Sequence, residues 1–217
     1  MILLGVDTCG AFGSIALGRV VDRELVLLGE KRMEGGEFAA ALLQGIADLL
    51  DESGVGIGDL RGIVAVAGPG SFTGIRIGLS MVKGLAEVTG VGVVAISRLA
   101  LLAAEAGTPC AVLDAHRGQV YCRIYAEGEA APEMLLTAGE INAMGGLPLP
   151  VAVCEEAAAQ LVEMLLEAEP MRVPAPTAGK ALRFGLARWL ARDCDDVASL
   201  DGYYLRGADA KMPTRGV

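Results

Sequence analysis

One histidine, one tryptophan and an aromatic content of 4% leave this 217-residue sequence short of several kinds of chemistry. With His116 alone, a site built on paired histidine ligands is excluded by counting. Cysteine is scattered rather than clustered: Cys9, Cys110, Cys122, Cys154 and Cys194 stand 12 to 101 residues apart with no CxxC pair. That spacing excludes a zinc framework and a disulfide scaffold, and it fits a reducing cytoplasm. Charged residues are only 21% of the chain against 53% hydrophobic, which excludes intrinsic disorder and leaves enough for one domain or two small lobes. Long apolar runs are missing as well. The longest charge-free stretches, Gly62–Ile75 and Ile141–Cys154, have 14 residues each, below the roughly 18 that a spanning helix needs. Asp7 follows only six residues with no basic lead-in, so a secretory signal is not expected, nor any membrane contact, and the mature chain is expected to start at Met1.

The net charge of −9 argues against a general binder of phosphate backbones. The charge is uneven, however: residues 172–217 carry eight Lys/Arg against five Asp and sum to +3, leaving −12 on the rest. This basic tail reads either as a docking surface or as a solvated helix face.

Apolar runs at Ile2–Val6, Ser14–Leu17 and Glu24–Glu30, separated by short turns, predict three sequential strands. From Glu37 to Ser53 the spacing turns helical, with Phe38, Leu42, Ile46 and Leu49 recurring at three and four and Gly54 as a stop. Ile63–Ala67 reads as a buried strand, residues 73–89 as a helix, Val91–Ile96 as a strand and Arg98–Ala106 as a short helix. Strands at Cys110–Leu113 and Gln119–Tyr125 and helices at Glu155–Glu167 and Ala178–Arg192 follow. The order βββαβα is that of an α/β lobe with a mixed sheet. An internal echo adds to this. Leu4-Gly5-Val6-Asp7-Thr8, a turn and Gly13–Leu17 are matched by Ala111-Val112-Leu113-Asp114-Ala115, a turn and Gly118–Cys122, and the strand and helix at 63–88 recur at 151–166. Two lobes of like topology are expected, an N-terminal one over residues 1–100 and a smaller one over 101–217.

Asp7-Thr8 and the turn through Gly10 and Gly13 resemble a backbone anion cradle, or a plain hairpin with an Asx-type turn. The Gly68-Pro69-Gly70-Ser71-Phe72-Thr73-Gly74 segment is neither a Walker loop nor a dinucleotide fingerprint, since its spacing is GxGxxxG. Ser71 also lacks the GxSxG frame of a nucleophile elbow. In the helix that follows, Ile75, Leu79, Val82 and Ala86 form one apolar stripe and Ile77, Met81, Leu85 and Val88 a second, although one suffices to pack on a sheet. The helix at 37–53 carries a similar surplus. A helical interface with another subunit is therefore expected, with Gly74 and Gly78 allowing close approach, unless a second lobe covers the surplus.

The string Val66-Ala67-Gly68-Pro69-Gly70-Ser71-Phe72-Thr73-Gly74-Ile75-Arg76-Ile77-Gly78 resembles the TsaB (YeaZ) family. Ile2–Thr8, Leu113-Asp114-Ala115 with Gln119-Val120-Tyr121, and Tyr204-Leu205-Arg206 resemble it in the same order. The resemblance implies an actin-like ATPase (ASKHA) fold without catalytic or metal residues, with Asp7, Thr8 and Asp114 as vestiges of a nucleotide site. It implies a scaffold for the TsaD enzyme, which transfers a threonylcarbamoyl group to the adenosine 3′ to the anticodon in tRNAs reading codons that begin with A. The expected partners are TsaD, the ATPase TsaE and a second copy in a homodimer, with tRNA reached through the complex. The interface is expected at Phe38, Leu42, Gly74, Ile75, Gly78, Leu79, Met81 and Val82. No cofactor is expected on this chain alone; ATP belongs, if anywhere, at the interface of the complex. Cys9-Gly10-Ala11 departs from the family's Ser/Thr-rich turn, and Met33–Glu37 lacks the histidine often found there. The alternative reading is a stand-alone actin-like ATPase or small-molecule kinase using Asp7 and Asp114.

Overall fold

The computed structural model describes residues 1–34, 38–126 and 129–205. Three strands open the chain: β1 (Ile2–Asp7), every residue of it buried, β2 (Phe12–Val21) and β3 (Glu24–Glu34). They pair antiparallel, with Asp7 opposite Ser14. After α1 (Phe38–Glu52), β4 (Leu60–Val66) pairs parallel with the free edge of β1. After α2 (Phe72–Thr89), β5 (Gly92–Ile96) pairs parallel with β4, completing a sheet of order β3-β2-β1-β4-β5. Parallel crossovers need helices on the sheet faces, which is where the apolar stripes of α1 and α2 are spent.

Past α3 (Arg98–Ala106) the plan repeats with β6 (Cys110–Asp114), β7 (Gln119–Ala126), the small β8 (Glu129–Ala130), β9 (Met134–Thr137), α4 (Ala138–Ala143), β10 (Val151–Val153), α5 (Glu156–Leu166) and β11 (Met171–Arg172). The second sheet runs β9-β7-β6-β10-β11, antiparallel on one side of β6 and parallel on the other. Apart from β8, each strand matches a counterpart in the first sheet, so the expected duplication is present. β9 and α4 have no counterpart in the sequence reading, because four and six residues are too short for periodicity to register.

The final helices exchange places. Leu99, Leu102 and Ala103 of α3 pack with Ala111, Leu113 and Ala152 of the second sheet. Ala178, Ala181 and Leu182 of α6 (Ala178–Leu190) belong to the core of the first. A division at residue 100 therefore follows chain order but not packing: residues 178–190 and Leu200 complete the first lobe. Among the described residues no helix is long and apolar enough to cross a membrane.

Candidate functional site

Asp7 and Asp114 end the central strands of the two sheets, and the chain satisfies both from within. Asp7 is 3% exposed and accepts a 2.9 Å hydrogen bond from the Cys9 amide. Burial raises its pKa, with the nearby Arg98 guanidinium acting in the opposite direction. Arg98, the first residue of α3, is 4% exposed and donates through Nη1 to Glu155 Oε1 at 2.9 Å. Glu155 Oε2 accepts from the Asp114 amide at 2.8 Å. The Asp114 carboxylate accepts from the His116 amide at 2.7 Å and lies 2.9 Å from His116 Nδ1. An internal Arg98–Glu155 pair thus joins the Asp7 side of the cleft to the Asp114 side.

The amides at the N-terminus of α6, the natural seat of a phosphate, are also occupied. Ala178 N donates to Ser14 Oγ at 2.8 Å, Gly179 N to Glu30 Oε1 at 2.7 Å and Lys180 N to Thr177 Oγ1 at 3.4 Å. A carboxylate at that position repels the anion that the amides would otherwise hold. What remains is a cavity of about 510 Å³ walled by Phe12, Arg32, Pro174 and Pro176 as well as by Arg98 and Glu155. Thr8 does not face it: its hydroxyl donates to the Gly74 carbonyl at 2.7 Å in the buried seam between β1 and α2. Of the three vestigial candidates, only Asp7 lines the cavity. Arg98 and Glu155 are the residues that sequence reasoning missed; the one available signal was a charge opening the otherwise apolar stretch Arg98–Ala103. Among the described residues no three acidic, cysteine or histidine side chains gather as a metal site.

Ser71 caps α2, its Oγ accepting from Gly74 N at 3.2 Å, and so plays a structural part rather than a nucleophile's. Behind it, a Cβ on Gly74 would stand 2.0 Å from the Thr8 carbonyl oxygen, and one on Gly78 would stand 2.2 Å from Thr8 Oγ1. These glycines therefore admit the chain's own β1 turn, not a second subunit. The expected interface is corrected accordingly. Leu42, Gly74, Ile75, Gly78, Leu79 and Val82 are all buried in the first lobe, since the stripe they form is the one that packs on the sheet. The side chain of Phe38 lies outside the described residues. Met81 alone is only half-buried, in the second stripe with the half-buried Ile77 and Leu85 and the 84%-exposed Val88. Arg76, Ser80 and Gly84 complete an open groove of about 600 Å³ on that face. Leu43 on the neighbouring α1 is exposed too.

The basic C-terminal face is neutralised in part, three of its eight cations being paired with acids among the described residues. Lys180 pairs with Glu105 at 2.8 Å, and Arg188 with Asp193 at 2.6 Å and Asp195 at 3.3 Å. Arg172 pairs with Glu156 and Glu163, while Arg183 reaches the Leu25 carbonyl at 3.4 Å. Arg206, Lys211 and Arg215 lie outside the described residues.

A family model described as TsaD: tRNA N6-adenosine threonylcarbamoyltransferase matches residues 36–192. The tRNA threonylcarbamoyladenosine biosynthesis protein TsaB of Bacillus subtilis is 34% identical over 131 residues, 58% of this chain and 55% of that protein, so the match spans about half of that relative. YeaZ from Pseudomonas aeruginosa superposes with a TM-score of 0.71 at 26% identity, covering 93% of this chain and 99% of that one. The activator of the 2-hydroxyisocaproyl-CoA dehydratase from Clostridium difficile, with bound ADPNP, superposes with a TM-score of 0.53 over 90% of this chain and 99% of that one; at 10% identity this is a likeness of fold alone.

Proposed function

The chain belongs to the TsaB (YeaZ) family, within the broader TsaD family, and has the actin-like ATPase fold; from that premise we propose that it is a non-catalytic scaffold in tRNA threonylcarbamoyladenosine synthesis. It docks a TsaD-type enzyme, which carries out the transfer to tRNA, and the complex rather than this chain handles ATP with TsaE.

The observation that carries this reading is a comparison of the molecule with itself. By the internal duplication, α2 and α5 hold equivalent places on the two sheets. α5 turns Glu156, Gln160 and Glu163 to solvent, with Met164 as its one exposed large apolar residue. The half-buried Leu161, Leu165 and Leu166 of α5 close on the core of their own lobe. α2 exposes Phe72 and Val88, and its half-buried Ile77, Met81 and Leu85 border the open groove beside Val88. One architecture with two surface chemistries points to a partner on the first lobe only. With Ile77, Met81 and Leu85 already half-buried, covering these and Val88 contributes less than the about 6–12 kcal/mol that four fully exposed side chains would give, against an association entropy of about 4–15 kcal/mol. α2 alone leaves little margin for stable association, and the exposed Leu43 of the neighbouring α1 extends the apolar face. The self-satisfied cleft supports the non-catalytic part, because a nucleotide phosphate entering it would have to displace Glu30 from α6.

The test mixes the pure chain with a TsaD enzyme and follows co-elution, ATP turnover and tRNA modification. The chain alone is expected to leave ATP intact, to co-elute with TsaD and to be required for modification; Met81→Asp is expected to abolish co-elution without unfolding. ATP hydrolysis by the chain alone that is lost in Asp7→Ala would overturn the reading in favour of a self-sufficient ATPase. Undiminished co-elution of the folded Met81→Asp variant would remove α2 as the interface.

A further inference from the structure

A second cavity, of about 500 Å³, opens where the end of β5, the start of α3, β7, α6 and residues 203–205 meet. It shares no wall residue with the cleft between Asp7 and Asp114. Its walls are unusually aromatic for a chain with only 4% aromatic residues. Tyr125, Phe184 and Tyr203 all line it, yet among the described residues no two of these three rings are in contact. Phe184 is 39% exposed. Tyr204, the fourth ring on the wall, packs on Phe72, and Tyr125 has Arg123 on its ring, so the faces left to a planar group are those of Phe184 and Tyr203.

The polar groups on the same walls are few and complementary. Glu133 accepts from Ser97 Oγ and from Arg123 Nη1, the latter at 2.8 Å, and both bonds land on Oε1, leaving Oε2 as an acceptor. The Arg123 guanidinium lies 5.3 Å from the centre of the Tyr125 ring, and its buried Nε has no hydrogen-bond partner among the described residues. Because the Arg123 Nε is buried out of reach, the recognising group is Glu133 Oε2, an acceptor that matches a ring N–H or exocyclic amine of a heterocycle and that an aliphatic hydrocarbon would leave unpaired.

We propose that this cavity binds a nucleobase, its plane against Phe184 and Tyr203 and its polar edge toward Glu133. The base comes either from a free nucleotide or from an unstacked position in single-stranded RNA; the recognising chemistry is the same. Phosphates contribute little. Arg123 is paired with Glu133, and Arg188 with Asp193 and Asp195, in a chain of net charge −9. Binding should therefore be driven by stacking and be nearly insensitive to salt, unlike that of a protein that neutralises the backbone.

The probes are 2-aminopurine riboside, whose fluorescence falls when it stacks, and a short single-stranded RNA carrying one 2-aminopurine, each titrated with the full chain. Saturable quenching that changes little with added potassium chloride is expected, and Phe184→Ala should weaken it roughly fivefold or more, the range of one lost stacking contact. Because Phe184 is partly exposed, that variant should fold, which circular dichroism checks; Tyr203→Leu provides a second, independent loss. Quenching of the riboside assigns the site to free nucleotides, and quenching of the RNA alone assigns it to an unstacked RNA base. No saturable quenching of either probe, or equal affinity in both variants, overturns the proposal. Val88→Asp, on the partner face, should leave the quenching unchanged, so this inference and the scaffold reading fail separately.

Discussion

Gly78 lies on the inner face of α2 against Thr8, and alanine there is expected to destabilise the first lobe without touching the groove on the outer face. The added Cβ would stand 2.2 Å from Thr8 Oγ1, 3.4 Å from Thr8 Cβ and 3.5 Å from Thr8 Cγ2. Two relaxations are open. Thr8 can turn away, which breaks its 2.7 Å bond to the Gly74 carbonyl and strands buried polar atoms, at about 1–3 kcal/mol. Alternatively α2 can lift from the sheet, at a similar overpacking cost of about 1–3 kcal/mol. Against either stands a gain of up to about 1 kcal/mol from replacing glycine inside a helix. The net loss is about 1–2 kcal/mol, and at about 2–4 °C per kcal/mol for a chain of this size the Tm should fall by roughly 2–8 °C. The same helix supplies the control. Gly84 has nothing within 4 Å of its would-be Cβ, so Gly84→Ala should keep the propensity gain and melt at or above the parent temperature. Thermal unfolding followed by circular dichroism measures both. If Gly78→Ala gains stability as Gly84→Ala does, the packing of α2 on the β1 turn is not the constraint described, and the assignment of the inner and outer stripes falls with it.

Val88→Asp, at a position 84% exposed, should change stability by no more than about 0.5 kcal/mol, yet burying its unpaired charge against a partner should weaken association by orders of magnitude in sedimentation velocity; a Tm drop of many degrees would contradict the placement. Asp7→Asn tests burial of the carboxyl. A folded-state pKa raised by burial means that the contribution of Asp7 is complete below its unfolded pKa and is lost as pH rises through the folded value. The Tm of the variant relative to the parent should therefore improve between acidic and neutral pH, and a difference independent of pH would refute it. Arg98→Met should cost about 3 kcal/mol in urea unfolding, because Asp7 and Glu155 lose their cation; adding Glu155→Gln should recover part of that, and strict additivity would show that the pair is not coupled.

The first lobe was largely legible in the sequence. Every residue of β1 is buried, so its apolar run and the turns after it could scarcely form anything but a central strand, and Arg98–Ala106 was bounded correctly because Ser97 caps one end and Gly107 adopts a positive φ at the other. The duplication was visible too, since equivalent buried strands draw on the same few β-branched and small residues. Periodicity also showed that α2 carries two apolar stripes. It did not show which one faces the sheet, because that depends on the angle at which the Gly68–Gly74 turn launches the helix, and hence on Thr8, some 66 residues from Gly74 in the chain. The exchange of α3 and α6 between lobes was invisible for the same reason: an amphipathic helix records that it must be covered, not by which sheet. Arg98, Glu155 and Glu30 stand in the sequence only as ends of elements, and it is the fold that places the first two between Asp7 and Asp114 and the third on the amides of α6. Local sequence, through apolar spacing and caps, determined the elements and their repetition; the closing of the cleft and the opening of one helix face were decided by contacts between residues far apart in the chain, which no local pattern encodes.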